Sequence, residues 1–193
     1  MFIPWHFPLH KDPSITGASD KAEQAFKVQY PAVYNHLAQY KKELSNRNKA
    51  ETGIRYEWYA LQRWGANYWE DFYRQKIVWT AVNSEYRFAL VEPGIFFNNS
   101  IFMITSNRDE NLNTILSVMN SKLFVKYLSF ITSEEYQYGS KELFQTFPIP
   151  KPNIEIEKEI ETLLETKDYQ SIDDIVYTVY GLSKEEIEFI ESQ

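Results

Sequence analysis

The sequence contains no cysteine, which excludes disulfides, thiolate metal sites and thiol nucleophiles. Glycine is scarce: six residues, at 17, 53, 65, 94, 139 and 181, no two closer than twelve positions. Neither a G-x-G-x-x-G fingerprint nor a P-loop fits that spacing, so cofactors cradled by glycine-rich loops are excluded. No stretch approaches the roughly 18 apolar residues of a membrane span. The opening "MFIPWHFPLHKDP" has no basic leader and three prolines, so no signal peptide is expected and the cytoplasm is the expected location. Catalytic signatures are missing as well. His6 and His10 are four apart, but Pro8 between them breaks the helical ligand spacing, and they read as structural or surface histidines. Glu165-Thr166-Lys167 imitates half of a metal-dependent nuclease site, without the preceding Pro-Asp partner. No serine stands in a nucleophile elbow. The chain is not expected to be an enzyme on its own.

Aromatic residues are what the chain has in excess: 17%, with 14 Tyr, 13 Phe and 5 Trp. Such rings fill a small core or stack on flat ligands. Charge is divided unevenly. Through residue 150, ten lysines and six arginines face fifteen acids, a balance of +1; from 151 to 193, four lysines face twelve acids, a balance of −8. A body at 1–150 and an acidic helical extension at 151–193 are therefore expected.

Periodicity supplies the elements. "SDKAEQAFKV" reads as a short helix capped by Ser19 or Asp20. In "YPAVYNHLAQYKKELSNR", Pro31 suits a first turn, and Val33, Leu37, Tyr40 and Leu44 fall on one helix face. "YEWYALQRW" and "ANYWEDFYR" read as short aromatic helices separated by Gly65. Three strands follow, at 76–82, 85–91 and 96–106, turning at Asn83-Ser84 and Pro93-Gly94. "ENLNTILSVMNSKLFVKYLSFI" predicts two helices meeting near Asn120-Ser121. From Ile154 the chain is helical, with Gly181 as a terminator and a capping box at Ser183 and Glu186. The expected fold class is α+β: a small, mainly antiparallel sheet packed with helices, plus a C-terminal helical tail.

Between Lys41 and Arg87, nine basic residues alternate with Tyr56, Trp58, Tyr59, Trp64, Tyr68, Trp69 and Tyr73. Guanidinium groups hold phosphates and read guanine edges, and rings stack or wedge; an aromatic core edged by snorkelling Lys and Arg fits the same composition. The order of the pieces is more specific. "YPAVYNHLAQYKKELSNR", "YEWYALQR", "YWEDFYRQKIVWTAV", an apolar hairpin, "TILSVMNSKLFVKYL" and "ELFQTFPIPKP" together resemble the TaqI-like C-terminal specificity domain. The ending "IDDIVYTVYGLSKEEIEFIE" is similar to the acidic helical tail of the same enzymes. The likeness runs from about Ile3 to the end, and its most specific pieces are "QKIVW", "MNSKL" and "FPIPKP". Gln75 stands where the family often has proline.

That resemblance implies the target recognition domain of a fused type II restriction–modification enzyme or related adenine-N6 DNA methyltransferase. The chain would read double-stranded DNA, while missing methyltransferase or endonuclease domains act with S-adenosylmethionine and Mg2+. It would be an excised or separately encoded C-terminal module. The alternative is a protein-interaction module docking a partner subunit through its aromatic surface and acidic tail. The expected DNA-contacting residues are Arg47, Arg55, Arg63, Arg74, Lys76, Asn98, Asn99, Ser100, Lys122, Tyr136, Tyr138 and Lys141. Amides and guanidinium groups suit base edges, and lysines suit phosphates. Lys76, at the mouth of an apolar strand, is expected to support the sheet's rim or meet phosphate.

Overall fold

A computed structural model describes residues 3–50, 52–62, 68–80, 87–106, 110–131, 144 and 147–192. The chain forms two compact units, Met1–Trp69 and Glu70–Gln193.

In the first unit, α1 (Asp20–Gln29) starts where Ser19 Oγ accepts from the Ala22 amide, and it buries Ala22 and Phe26. Tyr30 leaves helical geometry because the proline after it disfavours the α region, and Pro31 opens α2 (Pro31–Ala38) at its first position. The single helix face expected through Leu44 is interrupted. The chain turns at Gln39 and Tyr40 before α3 (Lys41–Asn46), yet Val33, Leu37 and Leu44 still reach one core with Ile3, Phe26, Trp58 and Tyr59.

The helix expected over "YEWYALQRW" is absent from its described part. Tyr56, Glu57, Trp58, Tyr59 and Ala60 are consecutively buried, a pattern with no solvent face for a surface helix to present. Their polar groups are met from a distance instead. Leu61 donates its amide to the Ile3 carbonyl, Tyr59 Oη donates to the Phe7 carbonyl, and Arg47 donates to the carbonyls of Trp58 and Ala60. The second aromatic helix shrinks to a 3-10 turn at Trp69–Tyr73; Gly65 lies outside the described residues.

In the second unit, β1 (Lys76–Thr80) is the centre of an antiparallel sheet, flanked by β2 (Ala89–Val91) and β3 (Ile101–Thr105). Lys76 stands opposite both Val91 and Thr105. The third strand is shorter than expected because Asn98 folds the chain locally: its Oδ1 accepts from the Ser100 amide and its carbonyl from the Ile101 amide. The Asn83-Ser84 turn lies outside the described residues. Ile77 and Trp79 face a core with Phe88, Leu116, Met119, Phe124 and Leu128, so α4 (Leu112–Asn120) and α5 (Lys122–Ile131) cover one side of the sheet.

The "MNSKL" segment is the joint between those helices. Asn120 bonds both backbone groups of Phe88, donating Nδ2 to its carbonyl at 2.9 Å and accepting its amide at 3.1 Å. Ser121 Oγ donates to the Val118 carbonyl and accepts from the Phe124 amide, closing one helix and opening the next. Helices α6 (Ile154–Thr166), α7 (Tyr169–Tyr180) and α8 (Lys184–Glu191) complete the unit, with Gly181 at φ 67 ending α7 and the Ser183–Glu186 capping box opening α8. The acidic segment is not a loose appendage within this unit. Ile172 and Val176 of α7 share a core with Val118 of α4, and Tyr180 Oη donates to the Pro148 carbonyl at 2.7 Å.

Candidate nucleic-acid interface

Two stretches distant in sequence meet beside the sheet. The first, residues 72–76, leads into β1, and the second, residues 92–100, connects β2 to β3. Gly94 sits at φ 84, a backbone region open to glycine at no steric cost, and its amide donates to the Phe72 carbonyl at 2.8 Å. Phe96 stacks on buried Phe72 at 4.9 Å between ring centroids and meets Tyr73 edge-on at 5.4 Å. Lys76 fixes the join: its Nζ donates to the Glu92 carbonyl at 3.1 Å.

This zipper decides what faces outward. Phe72 is the buried anchor, while Tyr73, Ile95 and Phe96 remain exposed. Beyond them Asn98, Asn99 and Ser100 stand exposed. Asn98 spends its carbonyl oxygen on the Asx turn, and Asn99 makes no side-chain hydrogen bond within the described residues. Arg74 lies on the facing stretch, its half-exposed guanidinium 3.4 Å from Asp71. Exposed rings beside amides and a guanidinium can cover apolar base surface, bond base edges and touch phosphate. Among the described residues, no group of three or more His, Asp or Glu stands where it could hold a metal ion.

The expected contact residues thus fall into distinct settings. Arg74 lies on one of the two stretches that meet at this corner, and Asn98, Asn99 and Ser100 lie on the other. Lys76 lies under the corner: fully buried, with desolvation lowering its pKa from 10.5, it braces the Glu92 carbonyl. Arg55 belongs to the first unit, where it lines a cleft. Arg47 has internal partners for its guanidinium, the carbonyls of Leu44, Trp58 and Ala60. Lys122 is drawn into the acidic helices, with Nζ 2.7 Å from Glu191 and 3.0 Å from Gln170. Arg63, Tyr136, Tyr138 and Lys141 lie outside the described residues. Sequence reasoning did not name Tyr73 and Phe96 as contact residues; a ring next to Arg74 and another two positions before Asn98 were the available signal.

The family model of the TaqI-like C-terminal specificity domain matches residues 23–149. That span contains the corner, the sheet and the α4–α5 joint, and excludes the acidic helices. No curated protein matches the chain. No helix among the described residues is long and apolar enough to cross a membrane.

Proposed function

The chain belongs to the TaqI-like C-terminal specificity domain family, and from that premise we propose that it directs adenine-N6 methylation, or cleavage, of particular DNA sites by domains outside this chain. A specificity domain does no bond chemistry itself, so S-adenosylmethionine and Mg2+ would be bound by those other domains. Double-stranded DNA is the ligand, and the corner formed by residues 73–74 and 95–100 is its reading surface. The observation that carries this is the zippering of the 72–76 and 92–100 stretches, which between them carry exposed rings, the Arg74 guanidinium and the exposed Asn98, Asn99 and Ser100. Asn99 would read a base edge, since its amide offers the donor–acceptor pair that suits adenine in the major groove. Arg74 would hold phosphate or read guanine. The −8 balance of residues 151–193 keeps a polyanion away from α6–α8 and favours the body as its docking side.

The test is binding of the chain to a randomised duplex library, followed by sequencing of the retained fraction. Asn99→Ala should relax the preference at one position, at a cost of about 1–3 kcal/mol in discrimination. Arg74→Ala should weaken binding and flatten its salt dependence. If both variants keep the affinity and the sequence preference of the parent, this corner does not read DNA. A chain that shows no salt-dependent DNA affinity at all would favour the partner-docking reading.

A further inference from the structure

Within the first unit an open cleft of about 740 Å³ lies between the N-terminal segment and the start of the 55–62 run. Its volume falls in the range of small-ligand sites. Its walls include Trp5, His6, Lys11, Arg55, Tyr56 and Gln62, and the groups in it are unusually well held.

His6 is the first of them. It is a non-glycine residue in the left-handed region, at φ 46, a conformation that costs energy and persists where the surroundings enforce it. The enforcing group is Glu57, itself buried, which accepts the His6 amide at 2.8 Å and bonds the ring at Nδ1 at 2.9 Å. A carboxylate only accepts, so Nδ1 carries the proton and Nε2 is the ring nitrogen left for another partner. The ring is nine-tenths buried, and Nε2 makes no hydrogen bond within the described residues.

Trp5 is the second. It is 38% exposed, and buried Tyr56 backs it in parallel, 5.7 Å away and 7° off plane. Such a ring is a fixed platform for a flat ligand. Gln62 is the third: its Nε2 donates to Thr52 Oγ1, which fixes the amide and leaves its oxygen as an acceptor. Two cations, Lys11 and Arg55, line the same space. Among the described residues the lining holds one carboxylate, Asp12, and that is bonded to Ser14 and to Lys21 at 3.1 Å.

A platform, an acceptor, a histidine nitrogen and two cations match one ligand class. We propose that this cleft binds an unpaired nucleotide, its base stacked on Trp5 with its edge toward His6 Nε2 and Gln62, and its phosphate toward Lys11 and Arg55. Reading duplex DNA requires no such pocket, so the inference goes beyond the proposed function and does not rest on the corner at residues 73–100. The nucleotide comes from a DNA strand or from solution; the chemistry is shared and the experiment separates the sources.

Fluorescence anisotropy with the whole chain would compare a labelled single-stranded oligonucleotide, the same strand with an abasic core, and displacement by free dAMP. The normal strand should bind at least about fivefold more tightly than the abasic one, the scale of one base–aromatic stack. Trp5→Ala should abolish that difference, Trp5→Phe should retain most of it, and Lys11→Ala should weaken both strands alike. Trp5 and Lys11 are exposed enough for these variants to fold, which circular dichroism would check. Displacement by dAMP supports a free-nucleotide site, and its failure beside tight strand binding supports a strand-borne one. Equal binding of normal and abasic strands, or a Trp5→Ala variant that behaves as wild type, overturns the proposal. Sequence-specific duplex binding, measured in parallel, tests duplex reading by the 73–100 corner separately.

Discussion

The two units solve the same problem by opposite means. In Met1–Trp69 the regular elements are short, and buried polar side chains take the place of backbone ladders. Glu57 receives two hydrogen bonds from His6 and one from the Ser19 amide. Glu23 receives Tyr34 Oη, Trp58 Nε1 and Lys41 Nζ, and Arg47 serves three carbonyls. In Glu70–Gln193 a central strand and capped helices satisfy the backbone locally, and the core is a hydrophobic cluster around Ile77 and Phe124. The difference decides where charge is available for a ligand. A unit wired by its charged residues has spent many of them inside, whereas one held by periodic packing leaves its polar loops outside, as at Asn98–Ser100.

The largest expected effect follows from the wiring. Glu57→Ala would strand three donors in a buried setting, at a cost on the order of 3–5 kcal/mol. Amide exchange should show residues 20–46 losing protection while α4 and α5 keep theirs, because those helices draw on a different core. If protection falls equally in both units, they form one cooperative structure, and the contrast drawn between them fails.

The same contrast explains which parts were legible in the sequence. Local rules worked where the partners are local. Ser19 caps α1, Pro31 opens α2, Asn120-Ser121 divides α4 from α5, and Ser183 with Glu186 makes a capping box. The 56–62 run defeated the same rules because Glu57 finds its partners 38 and 51 residues away. A short-range aromatic pattern looks helical whichever carbonyls Arg47 will later hold. Candidate site residues divided likewise. Asn98–Ser100 were legible as polar residues in an apolar stretch, but they form a turn ahead of β3 and do not interrupt it. The acidic partners of Lys122, Asp173 and Glu191, lie 51 and 69 residues downstream. His6, read as a structural or surface histidine, is buried and paired with Glu57, a partner 51 residues away that no local pattern reveals.

Lys76 is the exception within the second unit, a fully buried ammonium that donates to the Glu92 backbone carbonyl and is only partly compensated by the Glu92 charge. Lys76→Met keeps the length and removes the charge, so it should raise stability by about 1 kcal/mol or more. Burial lowers the folded pKa beneath 10.5. The unfolded chain therefore holds more protons between the folded value and 10.5, and wild-type stability rises with pH across that window. The advantage of the methionine variant should shrink there, which thermal melts at several alkaline pH values would reveal. A methionine variant that is less stable at neutral pH would show that the Glu92 hydrogen bond outweighs desolvation.

The smallest effect belongs to Lys122, where the acidic helices are clasped to the start of α5. Its side chain is 43% exposed and that of Glu191 34%, so solvent screens the pair and the expected loss in Lys122→Ala is below about 1 kcal/mol. The backbone half of the clasp survives the substitution, because the Lys122 amide still donates to Asp173 Oδ1 at 2.9 Å. The side-chain half has a defined pH window. The hydrogen bond from Lys122 holds the Glu191 carboxyl below 4.5, and the same bond raises the lysine above 10.5. A carboxyl lowered on folding stabilises above its unfolded value and loses that contribution as pH falls through its folded one. An ammonium raised on folding stabilises below 10.5 and loses its share as pH rises through its folded value. Wild type and variant should therefore differ most near neutrality and converge in acid well below 4.5. Melting curves that stay equally separated at acid pH would mean that the lysine acts through its packed methylenes and not through Glu191.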